Sequence, residues 1–90
     1  MIELRAIIHG RVQLVMFRDF AQRTARKLGI KGFVQNRSDG TVEVVAQGEK
    51  SAVEKLLESL HHGSLLSRVD LVEREWRTPE KKFDDFNIVY

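Results

Sequence analysis

The sequence predicts an α+β domain, two helices packed on one face of a mostly antiparallel sheet. Strand-like alternation and helix-like periodicity succeed one another in the order β-α-β-β-α-β, with a short fifth strand at the end. Each predicted helix carries a single apolar stripe, so both need the same sheet face to bury it. The chain has 90 residues, 42% of them hydrophobic, which supports one core and one domain over residues 1–90.

Ile2, Leu4, Ala6 and Ile8 alternate with Glu3, Arg5, Ile7 and His9, the period of a half-buried strand. Phe17, Phe20, Ala21, Thr24, Ala25 and Leu28 then fall at helical spacing, with Asp19, Gln22, Arg23, Arg26 and Lys27 on the opposite side. Gly29 stands where a helix needs its C-terminal cap, and Arg26 and Lys27 suit the negative end of the dipole. Lys31 to Arg37 and Thr41 to Gln47 read as two strands joined through Ser38-Asp39-Gly40, a hairpin with Val42, Val44 and Ala46 inward. A second helix presents Val53, Leu56, Leu57 and Leu60 and stops at Gly63. Ser51 and Glu54 have capping-box spacing, while Gly48 or Glu49 offers an earlier start. From Arg68 to Trp76 the apolar residues change parity between Leu71 and Val72, which predicts a bulge. Pro79 and its charged neighbours form a loop, and Phe86, Ile88 and Tyr90 alternate in the last strand. This order is the ferredoxin-like split βαβ plan, which serves many unrelated functions and licenses none by itself.

Composition narrows the chemistry. Without cysteine there is no disulfide, thiolate nucleophile or thiolate metal site. No apolar stretch is long enough for a membrane span, and the opening residues lack a signal peptide pattern, so a cytoplasmic protein is expected. The net charge of +2 comes from 15 basic and 13 acidic residues, well mixed. The basic excess across Arg18, Arg23, Arg26, Lys27 and Lys31 attracts small anions but falls short of a duplex binder's dense patch. A monomer with no nucleic-acid or membrane partner is the expectation.

Topology then brings distant residues together. A βαβ crossover makes the first two strands parallel, so both end on one edge of the sheet. His9-Gly10 leaves the first strand there, Asn36 leaves the second, and Arg18 opens the intervening helix. A cation in a first helical turn is locally unfavourable and can simply reach into water. Alternatively, backbone N–H groups of the preceding loop form a nest for an anion, which the planar arginine fork completes. Asn36 can shape the turn, as asparagines before hairpins often do. Ser38, Asp39 and Gly40 already supply that chemistry, which leaves the Asn36 amide available to orient a water molecule.

Gly10-Arg11-Val12-Gln13, Val15, Phe17-Arg18, Ala25, Leu28-Gly29, Gly32, Val34, Asn36, Asp39-Gly40, Val42-Glu43 and Gln47-Gly48 together resemble the acylphosphatase pattern. The similarity reaches Phe86-Asn87-Ile88-Val89-Tyr90 and so spans the chain. It implies a hydrolase of acyl phosphates that works without metal or other cofactor. By the same resemblance the loop Gln13, Leu14, Val15, Met16, Phe17 and Arg18 binds the phosphoryl group, with Arg18 and Asn36 as the catalytic residues. Leu14 departs from the pattern, which has glycine there, whereas Met16 occupies a variable position. A left-handed Leu14 would cost roughly 1–2 kcal/mol; a shifted loop would weaken phosphate affinity, and a negative φ would cost nothing. A phosphate-binding domain without turnover is the alternative that Leu14 leaves open.

Other residues have simpler readings. His61 and His62 suit the end of the second helix and point apart, His9 reads as an edge-of-strand histidine, and Asp84-Asp85 with Lys81-Lys82 as a solvated loop. Lys31-Gly32-Phe33 resembles the opening of an RNA-recognition motif, but Val34-Gln35-Asn36 lacks the aromatics that stack bases. An RNA-binding module is thus the lesser alternative.

Overall fold

The structure, a computed structural model, describes residues 1–13 and 16–90; Leu14 and Val15 lie outside the described residues. Its elements are β1 (Ile2–Arg11), α1 (Phe17–Lys27), β2 (Lys31–Asn36), β3 (Val42–Gly48), α2 (Lys50–His62), β4 (Arg68–Arg77) and β5 (Phe86–Val89). The strands lie in the order β4-β1-β3-β2-β5. β3 is antiparallel to both β1 and β2, and β5 adds to β2 in parallel. β1 and β2 therefore run the same way and deliver Arg11 and Asn36 to one edge, as the predicted ferredoxin-like plan requires.

Alternation decides what each sheet face meets. Leu4, Ala6 and Ile8 pair across from Ala46, Val44 and Val42, and all six are fully buried. Against them pack Phe17, Ala21 and Ala25 of α1 and Val53, Leu56 and Leu60 of α2. α1 stops in a Schellman arrangement: Ile30 N–H donates to the Ala25 carbonyl at 2.9 Å and Gly29 N–H to that of Arg26 at 3.1 Å.

The opposite face is crossed by the chain between β4 and β5. Phe83 meets Phe33 edge-on with centroids 5.8 Å apart. Gln47, only 1% exposed, donates to Glu3 Oε1 at 2.7 Å and to the Lys81 carbonyl, and accepts from Phe83 N–H at 3.2 Å. Arg77 closes on the other oxygen of Glu3. This polar cluster sits at the start of β1 and the end of β3, the edge remote from Asn36.

Two local expectations are refined. α2 begins at Lys50 with Glu49 as its cap and makes no side-chain capping bond. The earlier start places Ser51 inside the first turn, so no Ser51–Glu54 capping box forms. The bulge falls at Asp70: His9 pairs with Leu71 and Gly10 with Val69, leaving Asp70 as the extra residue. Val69 and Val72 thereby both pack against the core despite their odd spacing. Gly10 faces that bulge at φ 135°, where a Cβ would stand 2.1 Å from the Arg68 carbonyl oxygen. Only glycine fits there, so the entry to the following loop is fixed sterically.

Candidate active site

The loop leaving β1 is tied down at Gln13. Its Nε2 donates to the carbonyls of Arg37 at 2.8 Å and Thr41 at 2.9 Å, both in the β2–β3 turn. That turn is braced in its own right. Thr41 donates through its backbone N–H at 3.0 Å and its hydroxyl at 2.5 Å to Asp39 Oδ1. The Thr41 hydroxyl, then its N–H, and the Arg37 charge hold the Asp39 carboxyl below its ordinary pKa, against slight desolvation.

α1 starts from Met16, whose φ of 58° and ψ of 28° are left-handed. The Met16 carbonyl accepts the first helical bond, from Phe20 N–H at 3.0 Å. Phe17 is 1% exposed and meets Phe20 with centroids 5.7 Å apart, which fixes the turn from which Arg18 projects. The Arg18 guanidinium carbon lies 4.8 Å from the centroid of Tyr90, a cation–π arrangement. β5 is in turn fastened to α1: Gln22 and Arg26 donate to the Phe86 carbonyl at 3.1 and 3.2 Å, and Arg26 pairs with Asp85 at 3.0 Å.

Asn36 ends β2. Its Oδ1 is buried and has no hydrogen-bond partner among the described residues. The turn beyond it is closed by Arg37, Asp39 and Thr41, so the Asn36 side chain is not used as a turn cap. A buried acceptor left empty costs on the order of 1–3 kcal/mol, which marks a place where a donor belongs.

These residues surround one cleft of about 270 Å³ whose described lining includes Gln13, Met16, Phe17, Arg18, Asn36 and Tyr90. Five residues singled out from the sequence thus converge, while Leu14 and Val15 lie outside the described residues. One detail differs from the simplest reading: the Gln13 side chain serves the hairpin turn, so any contact it makes with an anion runs through its backbone. Asp19 also lines the cleft but is held by Arg23 at 2.9 Å, the i,i+4 pair of an ordinary helix surface. Tyr90 was missed. Only the parallel pairing of β5 on β2, Ile88 beside Val34, brings the next outward residues level with Asn36. Alternation signalled the strand but not its partner.

A larger cavity of about 560 Å³ lies on the other sheet face, between Glu3, Glu43, Arg77, Phe33 and Phe83. Its carboxylates are already paired, Glu43 with Arg5 at 2.7 Å and Glu3 with Arg77. It offers a substrate no free charge of either carboxylate. His9 bonds Glu73 at 2.5 Å and does not line the Arg18–Asn36 cleft. Among the described residues no group of three His, Asp or Glu side chains is placed to hold a metal.

The arrangement is a small cleft on a ferredoxin-like sheet, lined by the Arg18 cation and the Asn36 amide. The acylphosphatase family model matches residues 4–88. The chain is 48% identical over 81 residues to an acylphosphatase of Methanococcoides burtonii, covering 90% of this chain and 84% of that protein. It is 51% identical over 73 residues to one of Thermococcus kodakarensis, covering 81% and 80%. The crystal structure of acylphosphatase from Bacillus subtilis superposes with a TM-score of 0.97 at 38% identity, covering 100% of both chains. The chain belongs to the acylphosphatase family.

Proposed function

We propose that Arg18 and Asn36 carry out, in this chain, hydrolysis of the carboxyl–phosphate bond of acyl phosphates, giving a carboxylate and inorganic phosphate. The observation that supports these roles is the convergence of the two residues, from separate elements, on a cleft where Asn36 Oδ1 has no partner among the described residues. The loop from Gln13 to Arg18 cradles the phosphoryl oxygens through backbone N–H groups, and the Arg18 fork matches two of them. A water donating to Asn36 Oδ1 has a lone pair free for in-line attack on phosphorus. An amide cannot take its proton at neutral pH, so a phosphate oxygen or bulk water accepts it. The departing carboxylate is stable as an anion and needs no general acid. Catalysis then rests on positioning and on charge stabilisation, without metal or other cofactor.

The whole of residues 1–90 acts in this reading as one domain, a cytoplasmic monomer whose partner is a small acyl phosphate rather than nucleic acid or membrane. Among the described residues no helix is long and apolar enough to cross a membrane. The test is release of phosphate from a synthetic acyl phosphate in the presence of a chelator. Wild type is expected to be active, with Arg18→Ala and Asn36→Ala each reducing kcat by about 10²–10³-fold. Arg18→Lys keeps the charge, loses the fork, and should fall nearly as far. Near-normal turnover by Arg18→Lys or Asn36→Ala would remove that residue from the mechanism. An inactive wild type that still binds inorganic phosphate would make this a binding domain.

A further inference from the structure

The cavity of about 560 Å³ lies between the sheet and the chain that joins β4 to β5. That is the size of a small-molecule site, and its described lining shares no residue with the Arg18–Asn36 cleft. The joining chain is fastened to the sheet through its backbone. Buried Gln47 donates to the Lys81 carbonyl and accepts from Phe83 N–H at 3.2 Å. Gly32 N–H donates to the Asp85 carbonyl at 2.9 Å. Lys81 and Phe83 are thereby held over the sheet, and the cavity is preformed.

Its lining combines apolar surface with two uncommitted charges. Phe33 of β2, Phe83 of the joining chain and Val45 of β3, only 3% exposed, supply the apolar part. The carboxylates of Glu3 and Glu43 are already neutralised by Arg77 and Arg5. Glu80 and Lys81 remain, neither with an ion-pair partner among the described residues. The Lys81 ammonium lies instead 5.5 Å from the centroid of the Phe83 ring. An exposed glutamate or lysine is ordinary by itself, but these two line one cavity together with a pair of aromatic rings. We propose that this cavity binds a free amino acid with an aromatic side chain. The α-ammonium pairs with Glu80, the α-carboxylate with Lys81, and the ring packs against Phe33 and Phe83. A purely cationic ligand would meet the Lys81 charge, and a purely anionic one the Glu80 charge; only a zwitterion satisfies both.

The experiment titrates L-phenylalanine into the ¹⁵N-labelled protein and follows backbone amide shifts by NMR. Phenethylamine lacks the carboxylate, 3-phenylpropionate lacks the ammonium and glycine lacks the ring, so each removes one part of the recognition. Saturable shifts are expected at Phe33, Lys81 and Phe83 with Asn36 unmoved, and a Kd for phenylalanine about fivefold or more below that of each analogue. Glu80→Gln and Lys81→Gln should each weaken phenylalanine binding about fivefold while leaving acyl phosphate turnover unchanged. Absence of saturable shifts at millimolar phenylalanine would overturn the site. Equal affinity for phenethylamine or 3-phenylpropionate would overturn the zwitterion as its ligand. Binding that persists undiminished in both variants, or shifts centred on Asn36, would place the ligand elsewhere and overturn the proposal.

Discussion

Gln13 and Asn36 carry the same functional group and use it in opposite ways. Gln13 spends its Nε2 hydrogens on the carbonyls of Arg37 and Thr41, so it locks the loop to the residues that follow Asn36. Asn36 Oδ1 is buried beside the cleft and has no partner among the described residues. Nothing in the residue type separates these roles; the partners do. Replacing Gln13 by Glu puts a carboxylate against two carbonyl oxygens, and the bonds become repulsions. Gln13→Glu is therefore expected to lower stability by about 1–3 kcal/mol in urea unfolding. It should also weaken inhibition by inorganic phosphate at least tenfold, because loop and turn no longer hold a common register. Gln13→Ala, lacking the repulsion, should lose less of both. Unchanged phosphate inhibition in Gln13→Glu would show that loop and turn are positioned independently. Backbone strain was harder to read at this scale. The sequence draws attention to Leu14, where glycine is missing from the pattern and which lies outside the described residues; Met16, among those described, is left-handed.

At the scale of elements, what could be read in advance was whatever a short stretch decides by itself. Helical periodicity from Phe17 onward and the Gly29 stop gave α1 nearly to the residue, because stripe and cap are both local. The hairpin was legible from Ser38-Asp39-Gly40 for the same reason. The start of α2 was not, since Ser51–Glu54 spacing and an earlier Glu49 start satisfy the same local rules. The bulge was visible as a parity change, but its place at Asp70 depends on how β4 meets Gly10 of β1. Turn chemistry also carries a pH dependence. Asp39 is bound in its charged form by Thr41, with its pKa depressed. A depressed folded pKa contributes stability that is complete above the unfolded value near pH 4 and is lost as pH falls through the folded pKa. Asp39→Asn keeps an acceptor but not the charge. It should melt below wild type at pH 7, with the gap closing as the pH is lowered from about 4 towards 2. The check is a series of thermal melts for both proteins across that range. A gap that stays constant to pH 2 would exclude ionised Asp39 as its source.

Over the whole molecule, the sheet places the Arg18–Asn36 cleft and a buried polar cluster at opposite edges. β1 and β2 end beside Arg18 and Asn36, whereas the start of β1 and the end of β3 hold the buried cluster of Glu3, Gln47, Arg77 and the Lys81 carbonyl. Both sites adjoin β1, so a flexible strand would couple them. A close-packed core of Leu4, Ala6, Ile8, Val42, Val44 and Ala46 lies between them. Gln47→Leu tests that separation. The substitution keeps the volume and the apolar contacts but leaves Glu3 Oε1, the Lys81 carbonyl and the Phe83 N–H without their side-chain partner. Exposing these groups to partial solvation offsets some of the loss, so a net cost of about 2 kcal/mol is expected. For a domain of this size that lowers Tm by roughly 8–16 °C. At 25 °C the chain remains folded, and kcat for an acyl phosphate should stay within about twofold of wild type. Calorimetry and a single assay temperature suffice to read both numbers. A parallel collapse of kcat well below the melting transition would mean that the two edges communicate through the strands, and that Arg18 and Asn36 depend on the remote cluster for their geometry.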